Sequence, residues 1–295
     1  MSSLSVDTTG GAAAAELCTP PPAPEAESNE GFIPANVIPA DCMGGHVFQF
    51  LPPVALLNAT EGLSPQVLSE TCASYPIPGM AVLDQRVWEA CFGTKALEAQ
   101  GLTFDEIPPM NSLGMIRELC KFSQIPVEEN AGFTVLTLPR GLTLNKMIAL
   151  AAAPQAPHQP AVINYIYAPI TAQYGDTPVE GGGVVAISNG LLPGSRSRPV
   201  AEQRALVEHH GCQMPLVVEA VALLFLTNIN SSTTATGPVY LLGRDPWSNT
   251  RCIEQIVAQG NPYHLVVGGF APAGLFVLSV NLDHERDGVV ALRKF

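Results

Sequence analysis

Charge is the scarcest feature of this sequence. Charged side chains make up 14% of the 295 residues, against about 25% in an ordinary soluble protein. Two explanations fit. Either much of the surface is covered by partners, as in an assembly subunit, or a Pro/Ala-rich composition carries no structural message. Bases are rarer still. No Lys or Arg precedes Arg86. Residues 1–190 hold 18 acids and 6 bases, residues 191–295 hold 8 of each, and the net charge is −12. A chain of this kind is a poor phosphate-backbone binder, because that affinity comes from basic side chains displacing counterions. Arg196, Arg198 and Arg204 form the one local basic group, and a solvated loop accounts for them more simply than a nucleic-acid contact.

Other absences narrow the class further. Seven cysteines occur, an odd number, and none is spaced Cys-x-x-Cys. Free thiols in a reducing, cytoplasmic compartment are the simplest reading. There is no basic start followed by an apolar core, so no secretory leader is expected. The longest apolar run, Leu216–Leu226, contains Glu219 and is too short to span a bilayer. The sequons at Asn58 and Asn230 therefore carry little weight.

What is present is strand-like. Ala161–Ile170, Gly183–Ser188, Leu216–Thr227, Pro238–Leu242, His264–Phe270 and Leu275–Leu282 are apolar or β-branched runs. Turn residues separate them, among them Asn189-Gly190, Pro193-Gly194 and Ala271–Gly274. That spacing predicts a compact β-domain over 161–295, either a sandwich or a barrel. Leu275–Leu282 should pair with His264–Phe270 as a hairpin. Leu216–Thr227 is read as its central strand, since Val217, Val218, Val221 and Thr227 are β-branched. The competing reading makes Leu216–Leu226 a buried helix, which would remove the sandwich in favour of an α+β fold.

The region before residue 161 reads differently. Residues 1–31, with Gly, Ala and Pro runs and unpaired acids, are expected to be a disordered tail. Residues 32–60 are interrupted by prolines and read as an extended segment. Helices are predicted over Gln66–Ala73, Met80–Gln100, Leu113–Phe122 and Thr143–Ala153, with a strand at Phe133–Leu138. These make 32–153 an extended segment plus a helical region. Residues 154–160 are read as a linker. Gly288–Phe295 reads as a short closing strand.

No motif assigns a catalytic, cofactor or metal site. The His209-His210-Gly211-Cys212 cluster could supply a nucleophile if His264 or His284 approached Cys212 in space. Adjacent residues of an extended chain point apart, so a buried thiol on a loop explains Cys212 as well. His209, His210, Cys212, His264, Asp283 and His284 could ligate a metal, but none falls at a recognised ligand spacing. Asp283–Asp287 reads as a charged turn. Gly181–Gly183 lacks the Lys-Ser/Thr of a phosphate loop, and Gly268-Gly269 marks a bulge or a close backbone approach. Arg244–Trp247 reads as a structural corner.

The segment Val162-Ile-Asn-Tyr-Ile-Tyr-Ala-Pro169, a turn, and then Gly182–Asn189 resembles two viral families. Viral jelly-roll coat proteins share this strand, loop and Gly-led strand order, and a charge-poor Pro/Thr/Ala composition. The thirty-kilodalton movement proteins of plant viruses have a comparable run ending in an Asp and a basic residue, where this chain has Asn189-Gly190. The resemblance covers roughly residues 160–245 and carries over no functional residue. It implies a jelly-roll-like antiparallel sandwich behind a helical N-terminal portion, in a non-enzymatic coat-type subunit of a virion or an assembly in the host cytoplasm. Partners would be further copies or other protein subunits, with no cofactor. The alternatives are a movement protein, or a cytosolic hydrolase or transferase using Cys212 and His264.

Overall fold

The structure, a computed structural model, describes residues 77, 79–106, 112–233, 242, 248–258, 260–271 and 274–295. All belong to the unit Ala35–Phe295. The readings of 1–31, 32–60, 66–73 and 244–247, and nearly all of 238–242, lie outside these residues.

The first described element is β1 (Met80–Leu83), which runs parallel to β2 (Phe133–Leu138) with Met80 opposite Phe133. Asp84 then caps α1 (Gln85–Phe92), its carboxylate accepting from the backbone N–H groups of Arg86 and Val87. Gly93 takes φ 79°, which a residue with a side chain rarely adopts, and so separates α1 from α2 (Thr94–Ala99). The single helix predicted over Met80–Gln100 is thus a strand and two short helices. Of the apolar residues that suggested one helical face, Trp88, Cys91 and Phe92 are buried on α1, whereas Val82 lies in β1 and is exposed, and the breaks lie at Asp84 and Gly93. α3 (Leu113–Phe122) starts where Ser112 accepts from Met115 N–H, and α4 (Leu144–Ala152) where Thr143 accepts from Lys146 N–H.

β3 (Ile163–Ile166) fills only the first part of the run Ala161–Ile170. Pro169, in the first turn of α5 (Ala168–Tyr174), is placed for a helix start and ends the strand there. β4 (Gly183–Ser188) follows as expected. α6 (Val200–His209) leads through a short loop to α7 (Val217–Ser231), where the sequence reading placed its central strand. That correction has a physical cause. Residues 217–226 are all buried, so the run lacks both the two-residue and the 3.6-residue alternation that separate strand from helix. Helix ends decide it. Leu216 N–H donates to Glu219 Oε2 at 2.8 Å, and Pro215 precedes the first turn.

The remaining strands are β5 (Asn249–Ala258), β6 (Asn261–Ala271), β7 (Gly274–Val280), β8 (Asp287–Gly288) and β9 (Leu292–Lys294). β6 and β7 form the expected hairpin, with His264 opposite Val280 and Gly268 opposite Phe276. A Cβ on Gly268 would sit 2.7 Å from Asn249 Cα, so this glycine permits the close backbone approach that its sequence suggested.

Two mixed sheets result, ordered β1-β2-β4-β9 and β3-β7-β6-β5-β8. The fold is mixed α/β with seven α-helices among the described residues. It departs from an all-antiparallel sandwich at the parallel pairs β1–β2, β3–β7 and β5–β8. Side chains stack in layers. Met115, Ile116, Leu119 and Phe122 of α3 and Val207 of α6 cover one side of the four-stranded sheet, against Phe133, Val135, Val184 and Ala186. Leu136, Leu138, Val185 and Ile187 on its other side meet α1, α4 and α7. The five-stranded sheet covers that helical layer with Leu265, Val267, Leu275 and Val277. Residues 154–160, read as a linker, are pinned to this core. Gln155 N–H donates to Cys91 O at 2.7 Å, and Ala161 N–H to Ala151 O at 3.0 Å.

Candidate functional site: the outer face of the five-stranded sheet

Alternation along the strands gives the five-stranded sheet two apolar faces. Cys252 and Ile256 of β5, Leu265 and Val267 of β6, and Leu275 and Val277 of β7 point inward onto the helical layer. Their neighbours Ile253, Gln255 and Val257, His264 and Val266, and Leu278 and Val280 point outward, joined by Tyr165 of β3, and of these Val266, opposite Arg251, is buried. Sheets of this kind are apolar on both sides only when both sides are covered. Here Val257 is 70% exposed, Tyr165 47% and Ile253 44%, and Leu282 beyond β7 is 74% exposed.

One end of this face is closed by a buried arginine. Arg251, whose side chain is 2% exposed, donates through Nη1 to Asp283 Oδ1 at 2.9 Å and to the Arg198 carbonyl at 3.0 Å. Its Nη2 donates to the Leu282 carbonyl at 2.9 Å. Gln203 of α6 lies 3.4 Å from Nη1 through Oε1, and its Nε2 donates to the carbonyls of Ser195 and Asp287. The guanidinium thus ties β5 to the 195–199 loop, to α6 and to the 282–288 turn. Asp287 accepts from Asn249 Nδ2 at 3.0 Å, and burial raises its carboxyl above the ordinary value. Arg251 Nε, Asp287 Oδ2 and His264 Nδ1 are buried without a hydrogen bond. Burial, with the nearby Arg251 and Arg204 charges, lowers His264 below the ordinary histidine value. Sequence reading did not find Arg251 or Gln203, because an isolated Arg in a strand carries no spacing signal.

The residues singled out from sequence are dispersed. Cys212 is buried beside Val207 and Met214 under the four-stranded sheet, whereas His264 stands on the outer face of the other sheet. The Cys212 thiol lies 3.5 Å from the His210 carbonyl, and burial pushes it up, with Arg293 opposing. A thiol in that state is a poor nucleophile at neutral pH. His209 and His210 stack edge to face at 5.3 Å, and His284 Nδ1 accepts from Arg286 N–H. Among the described residues no group of three or more His, Cys, Asp or Glu is arranged to hold a metal ion. Arg196 is committed internally. It forks onto Glu128 at 2.8–3.1 Å, and also reaches Ser248 and the Glu285 carbonyl. Arg198 pairs with Glu202 along α6 at 2.9 Å. A groove of about 330 Å³ lies near the start of β2, lined in part by Gly132, Phe133, Ser123 and Ser188, and among the described residues no titratable side chain lines it. No described helix is long and apolar enough to cross a membrane.

No protein-family model, curated protein or solved structure matches this chain.

Proposed function

We propose that this chain is a non-enzymatic subunit of a protein assembly, and that a second copy of the chain occupies the outer face of its five-stranded sheet. One observation carries the reading. That sheet is apolar on both faces, and on the outer one Tyr165, Ile253 and Val257 stay exposed. Exposed apolar side chains gathered on one sheet face mark an association site. Charge selects the occupant. The chain carries −12 overall, so two copies repel across most of their surfaces. The exposed or half-exposed outward side chains Tyr165, Ile253, Gln255, Val257, His264, Leu278 and Val280 include no acid, and Asp283 at the edge of the face, 41% exposed, is paired with Arg251. A like-charged copy can approach these side chains without meeting an unpaired carboxylate among them. A two-fold contact of this face with itself closes the assembly at a dimer.

A viral coat-type subunit is one member of this class. The resemblance over residues 160–245 suggested it, but loses its main structural support, because Val217–Ser231 is a helix where the sandwich needed its central strand. The nucleophile reading gains no support from the buried Cys212 thiol.

Light scattering on the size-fractionated full chain tests the proposal. The wild type is expected to run as a dimer, and Val257→Lys combined with Tyr165→Glu as a monomer of unchanged melting temperature, since both sites are exposed. A wild-type monomer at high concentration, or a dimer that tolerates both substitutions, would contradict it.

A further inference from the structure

We infer that assembly through the outer face is linked to a single proton, held on the inner side of the same strand where Glu254 of β5 meets the N-terminus of α7. The inference rests on the assembly reading above. β5 alternates Ile253, Gln255 and Val257 outward with Cys252, Glu254 and Ile256 inward. Inward, both Glu254 carboxylate oxygens accept from Val217 N–H, at 2.9 and 3.0 Å. The same helix end receives Glu219, which accepts from Leu216 N–H at 2.8 Å and is fully buried. Lys294 Nζ of β9 lies 2.9 Å from Glu219 Oε1, an ion pair without hydrogen-bond alignment.

A buried carboxylate, a half-buried one, a half-exposed ammonium and a helix N-terminus converge here. The helix dipole offsets only part of the excess negative charge. Protonating one carboxyl removes the remainder at least cost. Glu254 is the group that responds. Burial pushes it up from 4.5 to about 7, the Glu219 charge adding to this and the Val217 N–H and Lys294 opposing it. The other groups packed around it stay protonated there. Cys252 is raised well above the ordinary thiol value by burial and by both carboxylates. Tyr174 of α5, whose hydroxyl donates to the Gln255 carbonyl at 2.6 Å, is raised as well. On the outer face His264 is lowered by burial and by the Arg251 and Arg204 charges.

Transmission to the outer face follows from the strand. The β5–β6 register is irregular between Arg251 and Gln255, the stretch that holds Glu254 and presents Ile253. Loss of the proton sets Glu254 against Glu219 and moves this stretch on α7. Association is therefore stronger with the proton on.

Sedimentation of the full chain at about pH 6 and about pH 8 reads the linkage. The wild type is expected to associate roughly tenfold more weakly at the higher pH, the equivalent of one pKa unit. Glu254→Gln is expected to keep the low-pH affinity at both. Lys294→Met, which removes the opposing charge, is expected to move the wild-type midpoint to higher pH and serves if Glu254→Gln does not fold. Equal pH dependence in wild type and Glu254→Gln, or an unmoved midpoint in Lys294→Met, would overturn the inference alone. A chain that is monomeric at both pH values would overturn the assembly reading and the inference together.

Discussion

Arg251 shows how much a single side chain organises here. Its guanidinium is buried, yet its ion-pair partner Asp283 remains 41% exposed. The two halves of the pair therefore differ in weight. Replacing Arg251 with Met removes the donors that hold the Arg198 and Leu282 carbonyls and the Asp283 carboxylate, and is expected to cost about 3 kcal/mol or more. Asp283→Asn keeps an acceptor at a half-exposed site and is expected to cost about 1 kcal/mol or less. Urea denaturation of the two variants separates these outcomes, and equal losses would mean that the carbonyl contacts contribute little. The cysteines make a second test at this scale. Cys91, Cys120, Cys212 and Cys252 are buried thiols, and burial raises Cys91 to about 11. None of these four is expected to take up iodoacetamide at neutral pH until the protein is denatured, as peptide mass spectrometry would show. Rapid native labelling of Cys212 would revive the nucleophile reading.

Elements were legible where their ends and faces leave marks. Ser112 and Thr143 announced α3 and α4, and the Ala271–Gly274 turn announced the β6–β7 hairpin. β5 went unread because Arg251 and Glu254 interrupt its apolar run, although both are buried by partners distant in sequence. α7 was misread for the opposite reason, since a run buried on every side carries no period at all. The outer face was equally illegible, because strand order and register set it. Gly268 is the exception, a strand glycine whose reason was visible in advance. Gly268→Ala forces a methyl against Asn249 and is expected to destabilise by about 1–3 kcal/mol. A neutral result in thermal unfolding would show that β5 and β6 can part there. The capping of α7 also sets a pH dependence. The folded-state value of Glu254 lies above its ordinary 4.5, at about 7. Its contribution is thus fully present below about pH 4.5 and is lost as pH rises through about 7. The melting temperature is expected to fall over that window in wild type and to fall less in Glu254→Gln.

At the scale of the whole molecule, helices, four-stranded sheet, helices and five-stranded sheet lie in that order, and the last layer ends on an apolar face. With a net charge of −12, a copy of the chain approaches most readily where acids are few. The outer face offers such a surface. The most direct test of that claim is hydroxyl-radical footprinting of the full chain at low and high protein concentration. Tyr165, Ile253, Val257 and Leu282 are expected to lose reactivity together as concentration rises, while the exposed side chains of α3 keep theirs. Reactivity at those four positions that is independent of concentration, or protection appearing on α3 instead, would contradict the account.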